Sequence, residues 1–400
     1  MRYRGTLYRE AVPAVAAIDE AGVVLAQLLS ELVAFPTEST TSNLGLIQWV
    51  AEHVESNGGR STVLAGSKGR ANLLASFGPV AHGGVMLSGH TDVVPAGTGW
   101  ATDPYSMTKV GDALYGRGTA DMKGFIAAVI RVTERFREVE LARPLHLALS
   151  FDEEIGCIGV RDALEVIARR DDIRPDVVLI GEPTMMRPRH SHMGKLAFEI
   201  VCRAAAAHSS MSHDRPSAIS AAARLIHALD ELQLRHRPTG DPEVTFNCGT
   251  IAGGGALNVI ADRCAFTFET RFTVDHDPDT VLRSFWEAVE AERVALAAVG
   301  GSVHATEITR YPALRTDSDD PWLRVIERIA DAGPATSIGF GTEGGLFAAA
   351  LDAAVVICGP GDIAVAHRPD EYVSVEQLLR CERFLTGLVQ QVCVELAAVG

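Results

Sequence analysis

The sequence predicts an α/β protein whose mixed sheet, flanked by helices, is interrupted by a smaller α+β module. Strand-like apolar runs alternate with helical periodicity up to about residue 193, and the same alternation resumes near residue 305. Between them, strands that alternate apolar and polar residues predict a different kind of sheet. Four hundred residues exceed what one hydrophobic core usually serves. We therefore expect a main domain, formed by 1–193 with 305–400, and an inserted domain, 194–304.

The elements of the main domain follow from apolar spacing and from helix-breaking residues. Residues 1 to 20 are expected to form an extension, and the second helix has Thr41 or Ser42 as its N-cap. The periodicity predicts helices at 23–33, 40–56, 125–137, 158–169 and 321–331, a loop running into a helix within 340–350, and strands at 72–77, 84–88, 144–151, 176–184 and 353–362. Open α/β sheets bind ligands at the carboxyl ends of their strands, so residues at those ends are the functional candidates.

Acidic and histidine residues stand at the ends of three successive strands. His90 and Asp92 follow the second strand two positions apart, so in extended chain they point to one side. Glu153 and Glu154 follow the third strand, and Glu182 lies near the end of the fourth. Neighbouring carboxylates repel one another unless a cation neutralises them. A metal site is therefore favoured over a solvated acidic turn, which is the alternative interpretation.

Two further residues complete the candidate set. Asp121 sits at a loop-to-helix junction, where capping the helix is its alternative role. His367 follows the last apolar strand, where a structural or surface histidine is the alternative. Two imidazoles and three carboxylates suit two divalent ions, zinc above all, bridged by one carboxylate. Asp92 and Glu153 are adjacent to ligands, and Glu153 is placed to accept a proton from water held between the ions.

The inserted domain has its own order of elements. Alternating strands are predicted at 196–203, 243–251, 264–272 and 302–308, with helices at 217–232 and 278–297. This β-α-β-β-α-β order fits a ferredoxin-like domain with one free sheet face. Such a face is available to a partner or to a second copy of the chain.

The composition excludes two classes of partner. The formal net charge is -15, so no excess of lysine and arginine is available to neutralise the phosphates of a nucleic acid. No apolar run is long enough to cross a membrane, and no membrane anchor or signal peptide is expected. The seven cysteines are scattered without a CxxC pair, which favours reduced thiols in the cytoplasm. A small-molecule substrate is expected.

Five motifs resemble those of the dinuclear zinc amidohydrolases, a family that includes acetylornithine deacetylase, succinyl-diaminopimelate desuccinylase, aminoacylase and glutamate carboxypeptidase. They are GHTDVVP, YGRGTADMKG, DEEIGCIG, GEPT and GPGDIAVAHRPDEY, and they occur in the family's order. The last of them, with GTEGGLF, is most similar to the acetylornithine deacetylase branch. The resemblance implies a metal-binding α/β domain interrupted by a ferredoxin-like lid or dimerisation domain.

The resemblance also implies roles for individual residues. The metal ligands it implies are His90 and Glu182 on one zinc, Glu154 and His367 on the other, and Asp121 between them. It implies that Asp92 holds the first histidine, that Glu153 is the general base, and that His208 reaches the site of a neighbouring subunit to stabilise the oxyanion. The residues implied in substrate binding are Asn258 and Arg271, for the substrate carboxylate, and Glu343, which either meets a cationic group of the substrate or supports the metals.

The reaction implied by the resemblance is hydrolysis of the amide bond of a small N-acyl amino acid, by a hydroxide bridging two metal ions with Glu153 as general base. A carboxypeptidase or dipeptidase and a hydrolytic deaminase on the same metals are alternatives, and a non-catalytic ligand-binding descendant is an alternative of another class. Zinc is the expected ion, with cobalt as the second option. We also expect a cytoplasmic homodimer formed through the inserted domain.

Overall fold

The computed structural model describes residues 20–236 and 243–395, so the predicted extension lies almost entirely outside the described residues. The helices are α1 (Glu20–Val33), α2 (Leu44–Ser56), α3 (Gly124–Arg135), α4 (Val160–Ala168), α5 (Ala218–Arg235), α6 (Pro278–Val281), α7 (Arg283–Ala297), α8 (Pro321–Ala330), α9 (Gly344–Ala350) and α10 (Val375–Val389). The strands are β1 (Arg60–Ala65), β2 (Ala71–Phe77), β3 (Val85–His90), β4 (Thr108–Val110), β5 (Ala113–Tyr115), β6 (Leu145–Ser150), β7 (Val177–Pro183), β8 (Arg189–His192), β9 (Gly194–Arg203), β10 (Ala207–His208), β11 (Val244–Gly253), β12 (Val259–Ile260), β13 (Arg263–Phe272), β14 (Ser302–Tyr311), β15 (Leu314–Arg315), β16 (Thr336–Ile338), β17 (Ala354–Gly359) and β18 (Tyr372–Ser374).

The main sheet is mixed, as the sequence predicts. Its strand order is β1-β2-β6-β3-β7-β17-β8-β15, and β16 pairs with β8. The central strands β6, β3, β7 and β17 run parallel, whereas β2 pairs antiparallel with β6 and β1 pairs antiparallel with β2. Every residue of the four central strands is buried, which explains why their sequences are nearly all apolar. Their carboxyl ends meet at one edge of the sheet and bring the predicted ligands together.

Helices cover both faces of this sheet. One face packs against α1, α2, α3 and α10, and the other packs against α4 and α9. Gly181 in β7 allows a close contact, because a Cβ atom there would lie 2.1 Å from the ring of Phe125 in α3. Helix α3 therefore rests directly on the strand that carries Glu182, and the turn before α3 carries Asp121.

The inserted domain is an antiparallel sheet with two helices on one face. Its strand order is β11-β13-β9-β14, and α5 and α7 bury the alternate residues of the strands. The four strands of this sheet and the helices follow the predicted β-α-β-β-α-β order, with the second predicted helix divided between α6 and α7, and the short strands β10 and β12 form a separate two-stranded sheet. The predicted boundary at residue 304 falls inside β14, which continues to Tyr311. We therefore propose that the inserted module runs from Gly194 to Tyr311.

Some local predictions differ from the structure. The residue at the N-cap position of α2 is Asn43 rather than Thr41 or Ser42, and its side chain does not cap the helix but binds the backbone of Ala71 and the hydroxyl of Thr91. Val23, one of the residues that defined the first helix, is 55% exposed, since its side of α1 faces solvent. A small sheet of β18, β5 and β4, which the sequence pattern does not predict, braces the loop before Asp121.

The structure bears on two expectations from the composition, which concern membrane-spanning helices and cysteine pairing. In that part of the chain, no helix combines the length and apolar character needed to span a membrane. All seven cysteines are free thiols, and only Cys248 is not buried.

Candidate metal centre

One carboxylate lies between two histidines at the edge of the main sheet. His90 ends β3, Asp121 lies in the turn before α3, and His367 lies in the loop after β17. Nε2 of His90 is 3.0 Å from Oδ1 of Asp121, and Nε2 of His367 is 3.2 Å from Oδ2 of the same carboxylate. Glu154 Oε2 is 3.0 Å from His367 Nε2, and Glu182 Oε1 is 3.8 Å from His90 Nε2. The structure thus brings all five predicted ligands together.

The orientation of His90 is fixed by its own chain. Its Nδ1 lies 2.8 Å from the backbone oxygen of Asp92, which can only accept a hydrogen bond. Nδ1 therefore carries a proton, and Nε2 is the ring nitrogen that faces the cluster and is available to a metal ion. The carboxylate of Asp92 is farther from the ring, with Oδ1 3.6 Å from Nδ1. The backbone of Asp92, rather than its side chain, makes the closer contact with this histidine.

The carboxylate of Asp92 organises the acidic turn after β6. It accepts hydrogen bonds from the backbone N–H of Glu153 at 3.1 Å and of Glu154 at 3.3 Å, and from the hydroxyl of Ser39 at 2.8 Å. These donors satisfy the carboxylate oxygens of Asp92, which is only 3% exposed. Asp92 therefore positions the two glutamates relative to His90.

A buried ion pair, which the sequence pattern alone does not predict, holds the turn that carries Asp121. The carboxylate of Glu371 accepts hydrogen bonds from Arg117 at 2.6 Å and from the backbone N–H groups of Gly118, Ala120 and Asp121 at 2.9 to 3.1 Å. The signal that would have found it is the presence of Arg117 and Glu371 inside two of the quoted motifs, YGRGTADMKG and GPGDIAVAHRPDEY.

The electrostatics of the cluster favour cations. Burial raises the pKa of Glu153 and of Glu182 well above the ordinary value, and it also raises the pKa of Glu154. Burial would likewise raise the pKa of Asp121, but hydrogen bonds from His367 and His90 hold it below its usual range. Hydrogen bonds with Asp121 and Glu154 raise the pKa of His367 to about 10. Divalent ions would neutralise these crowded carboxylates.

The donor atoms fit divalent metal ions. Among the described residues, two groups place one ligand atom of each member within 4.8 Å of the others: His90 with Asp121 and Glu154, and His90 with Glu153 and Glu182. Imidazole nitrogen with carboxylate oxygen is the donor set that zinc and similar borderline ions accept. The cluster can therefore hold metal ions.

A cavity of about 500 Å³ separates this cluster from the free face of the inserted sheet. Its metal-centre wall includes Glu153, and its opposite wall includes Arg271. His208 and Asn258 are not among the described residues that line it. They lie together elsewhere in the inserted domain, where the backbone oxygen of Asn258 accepts a hydrogen bond from Ser209 N–H and the side chain of His208 is exposed.

Glu343 lies behind the metal centre rather than in the cavity. It is 1% exposed, and its Oε1 accepts a hydrogen bond of 2.5 Å from Ser150 at the end of β6. Burial raises the pKa of Glu343 to about 7. Glu343 is therefore not placed to contact a substrate in the cavity directly.

The sequence profile of peptidase family M20/M25/M40 matches residues 86–391, which include the whole cluster. The chain belongs to this family. An acetylornithine deacetylase from Pasteurella multocida is 32% identical over 384 residues, which are 92% of this chain and 97% of the relative.

Two solved M20 structures share the fold. A metallo-carboxypeptidase from Sulfolobus solfataricus gives a TM-score of 0.76 at 18% identity, covering 93% of this chain and 99% of that one. A dinuclear metal-binding peptidase from Bacillus subtilis gives 0.65 at 15% identity, covering 93% and 98%. The family, the fold class and the enzyme class predicted from the sequence are confirmed.

Proposed function

We propose that this M20 enzyme hydrolyses the amide bond of a small N-acyl amino acid with the help of two divalent ions. The observation that carries the proposal is the position of Asp121, whose two oxygens face Nε2 of His90 and Nε2 of His367. A carboxylate between two imidazoles is suited to binding one ion on each side. Similarity to the acetylornithine deacetylase from Pasteurella supports an acylated amino acid as substrate.

Each ion has a set of ligands in this proposal. His90 and Glu182 would hold one ion, Glu154 and His367 would hold the other, and Asp121 would be shared. Zinc is the ion that we propose, with cobalt as the second candidate, because both accept imidazole nitrogen and carboxylate oxygen. When bound, such ions polarise a carbonyl group and lower the pKa of water.

Glu153 is the general base of the proposed reaction. It lines the cavity beside Glu154, and its Oε1 is 3.3 Å from the thiol of Cys157, which donates to it. Its raised pKa suits a group that first accepts a proton and then releases it. Glu153 takes the proton from the attacking water and passes it to the leaving nitrogen, as the new C–O bond forms and the C–N bond breaks. The products are a carboxylic acid and a free amino acid.

The remaining predicted residues are assigned to substrate binding and support. Arg271 faces the cavity and is proposed to bind the substrate carboxylate. His208 and Asn258 are proposed to reach the cavity of a second copy in a homodimer formed through the inserted domain, which their exposure supports. Glu343 is proposed to support the metal centre through Ser150.

A cytoplasmic location is part of the same proposal, and the free thiols of the chain support it. The homodimer is tested by sedimentation of the purified protein. A monomer with full activity would contradict the assignment of His208 to the site of a second copy.

The proposed reaction is tested with protein that has been stripped of metal by a chelator and then reloaded with zinc or cobalt. We expect hydrolysis of one or more N-acyl amino acids in a panel that also contains dipeptides, loss of that activity after stripping, and recovery after reloading. Turnover of dipeptides alone, or full activity of the stripped protein, would contradict the proposal.

A further inference from the structure

Three charged side chains form a cluster on the cavity wall that faces the metal centre. Lys195 in β9 and Arg271 in β13 are paired directly across the two strands, and Glu269 lies two positions from Arg271 on the same face. Lys195 Nζ is 2.7 Å from Glu269 Oε2, and Arg271 Nε is 3.1 Å from Glu269 Oε1. The carboxylate of Glu269 therefore lies between the two cations and binds both. The three side chains together carry a net charge of +1.

Lys195 and Arg271 each retain N–H groups that can donate hydrogen bonds to another carboxylate. The ammonium of Lys195 has three N–H groups and uses one of them toward Glu269. The guanidinium of Arg271 binds Glu269 through Nε, which leaves its two Nη groups; one of these is 3.5 Å from the backbone oxygen of Gly339. Each of the three side chains is about a quarter exposed, so all three remain in contact with the cavity. A substrate carboxylate can accept from both cations at once.

The cavity wall that carries this cluster offers no unpaired carboxylate to bind a positively charged group of a substrate. Among the described residues of the cavity, Glu269 is the single carboxylate opposite the metal centre, and it already binds two cations. The four acids of the opposite wall are the proposed metal ligands Asp121, Glu154 and Glu182 and the base Glu153. A desolvated charge without a partner is costly. A substrate side chain that ends in an ammonium group is therefore disfavoured here.

We infer that Lys195 and Arg271, spaced by Glu269, form a carboxylate clamp, and that the enzyme selects N-acyl derivatives of neutral amino acids over N-acyl ornithine. The inference rests on the proposed function. It assigns a binding role to Lys195 and a positioning role to Glu269, and it separates this chain from the substrate named for the Pasteurella relative. The preferred substrate carries one negative charge, matching the single positive charge of the cluster.

The test compares N-acetyl-L-norleucine with N-acetyl-L-ornithine on the zinc-loaded enzyme, because the two side chains differ only in a terminal methyl or ammonium group. We expect kcat/KM to be at least about 10-fold higher for the norleucine compound, which corresponds to one unfavourable charge contact. An equal or higher value for the ornithine compound would overturn the inference while leaving the proposed function intact. Failure on every acyl amino acid of a broad panel would instead refute the proposed function.

Variants of Lys195 separate binding from folding. Lys195→Gln is expected to raise KM for N-acetyl-L-norleucine about 10-fold with little change in kcat, because carboxylate binding is common to ground and transition states. Lys195→Arg should retain most of the affinity, and Lys195→Glu should shift the norleucine-to-ornithine ratio toward ornithine by about 10-fold or more. The exposed Lys109→Glu, in β4, is the matched control and should leave the ratio unchanged.

Binding of the free amino acids, which are the reaction products, gives a readout that does not depend on turnover. Calorimetry should show norleucine binding more tightly than ornithine to wild type, with the difference reduced in Lys195→Glu. Glu269→Gln removes the spacer and is expected to weaken norleucine binding even though the net positive charge increases. Norleucine binding that is unchanged in both Lys195→Gln and Glu269→Gln, with each variant folded by circular dichroism, would rule out the clamp.

Discussion

Replacing Glu371 with glutamine tests whether a buried ion pair shapes the metal centre. Glu371 and Arg117 are 1% and 2% exposed, and their atoms are 2.6 Å apart. The same carboxylate accepts the backbone N–H groups of Gly118, Ala120 and Asp121. The turn that carries Asp121 is therefore held by one side chain. Glu371 reaches it because β18, which begins at the next residue, pairs with β5.

The expected magnitude follows from these contacts. Glutamine retains one acceptor oxygen, so about half of the four hydrogen bonds are lost, and the guanidinium of Arg117 stays buried without a counter-charge. Removing one partner of a buried ion pair costs about 3 to 5 kcal/mol of stability. Loss of a group that supports a metal ligand lowers metal affinity by about 10- to 100-fold. Glu371→Gln should therefore weaken both the folded state and the binding of metal.

The assay uses urea unfolding of metal-free protein and competition for zinc with a coloured chelator. Glu376→Gln is the matched control, because Glu376 is an exposed residue in the first turn of α10, five positions along the chain. We expect Glu376→Gln to behave like wild type in both measurements. If Glu371→Gln also matched wild type in stability and in zinc affinity, the inferred support of Asp121 would be wrong.

Three further predictions concern single side chains. Glu153→Gln should keep its metal content but lower kcat by about 10² to 10⁴-fold, because proton transfer through Glu153 is lost. A variant with normal kcat would refute the assignment of Glu153 as general base. Asp92→Asn should lower metal affinity about 10- to 100-fold, because the amide replaces one of the oxygens that accept from Ser39 and the Glu153–Glu154 turn; unchanged zinc titration would contradict this. Glu343 has its pKa raised from 4.5 to about 7, so its ionisation destabilises the folded, metal-free protein as pH rises through that window. Glu343→Gln should therefore be more stable than wild type at pH 8, by about 3 kcal/mol, and equal to it near pH 4.5, which urea midpoints at the two pH values check.

Local sequence signals were sufficient to predict that most residues of the candidate metal centre lie together. The strands that end near His90, Glu154 and Glu182 are continuous apolar runs, and such runs are buried parallel strands whose ends meet at one edge. The motif resemblance supplied the pairing of ligands, and the structure brings the same five residues into contact. A pattern that combines strand ends with polar residues is therefore predictive even for residues more than 200 positions apart.

Roles that depend on distant contacts were not predictable from local pattern. The carboxylate of Glu371 accepts hydrogen bonds from residues more than 240 positions away in the sequence. The carboxylate of Asp92 accepts hydrogen bonds from backbone N–H groups some 60 positions away. The Asn43 cap was missed for the same reason, because tertiary hydrogen bonds outweigh local capping. The predicted boundary at 304 fell within β14, which continues past an irregularity between Glu307 and Thr309.

The number of metal ions bound per chain tests the central claim, which is that Asp121 is shared between two ions. Wild-type protein dialysed with zinc and analysed for its metal content should contain two zinc ions per chain. Asp121→Asn should contain no more than one under the same conditions and should lose turnover of acyl amino acids. Wild type that binds only one ion, or an Asp121→Asn variant that retains two ions and full activity, would contradict the account.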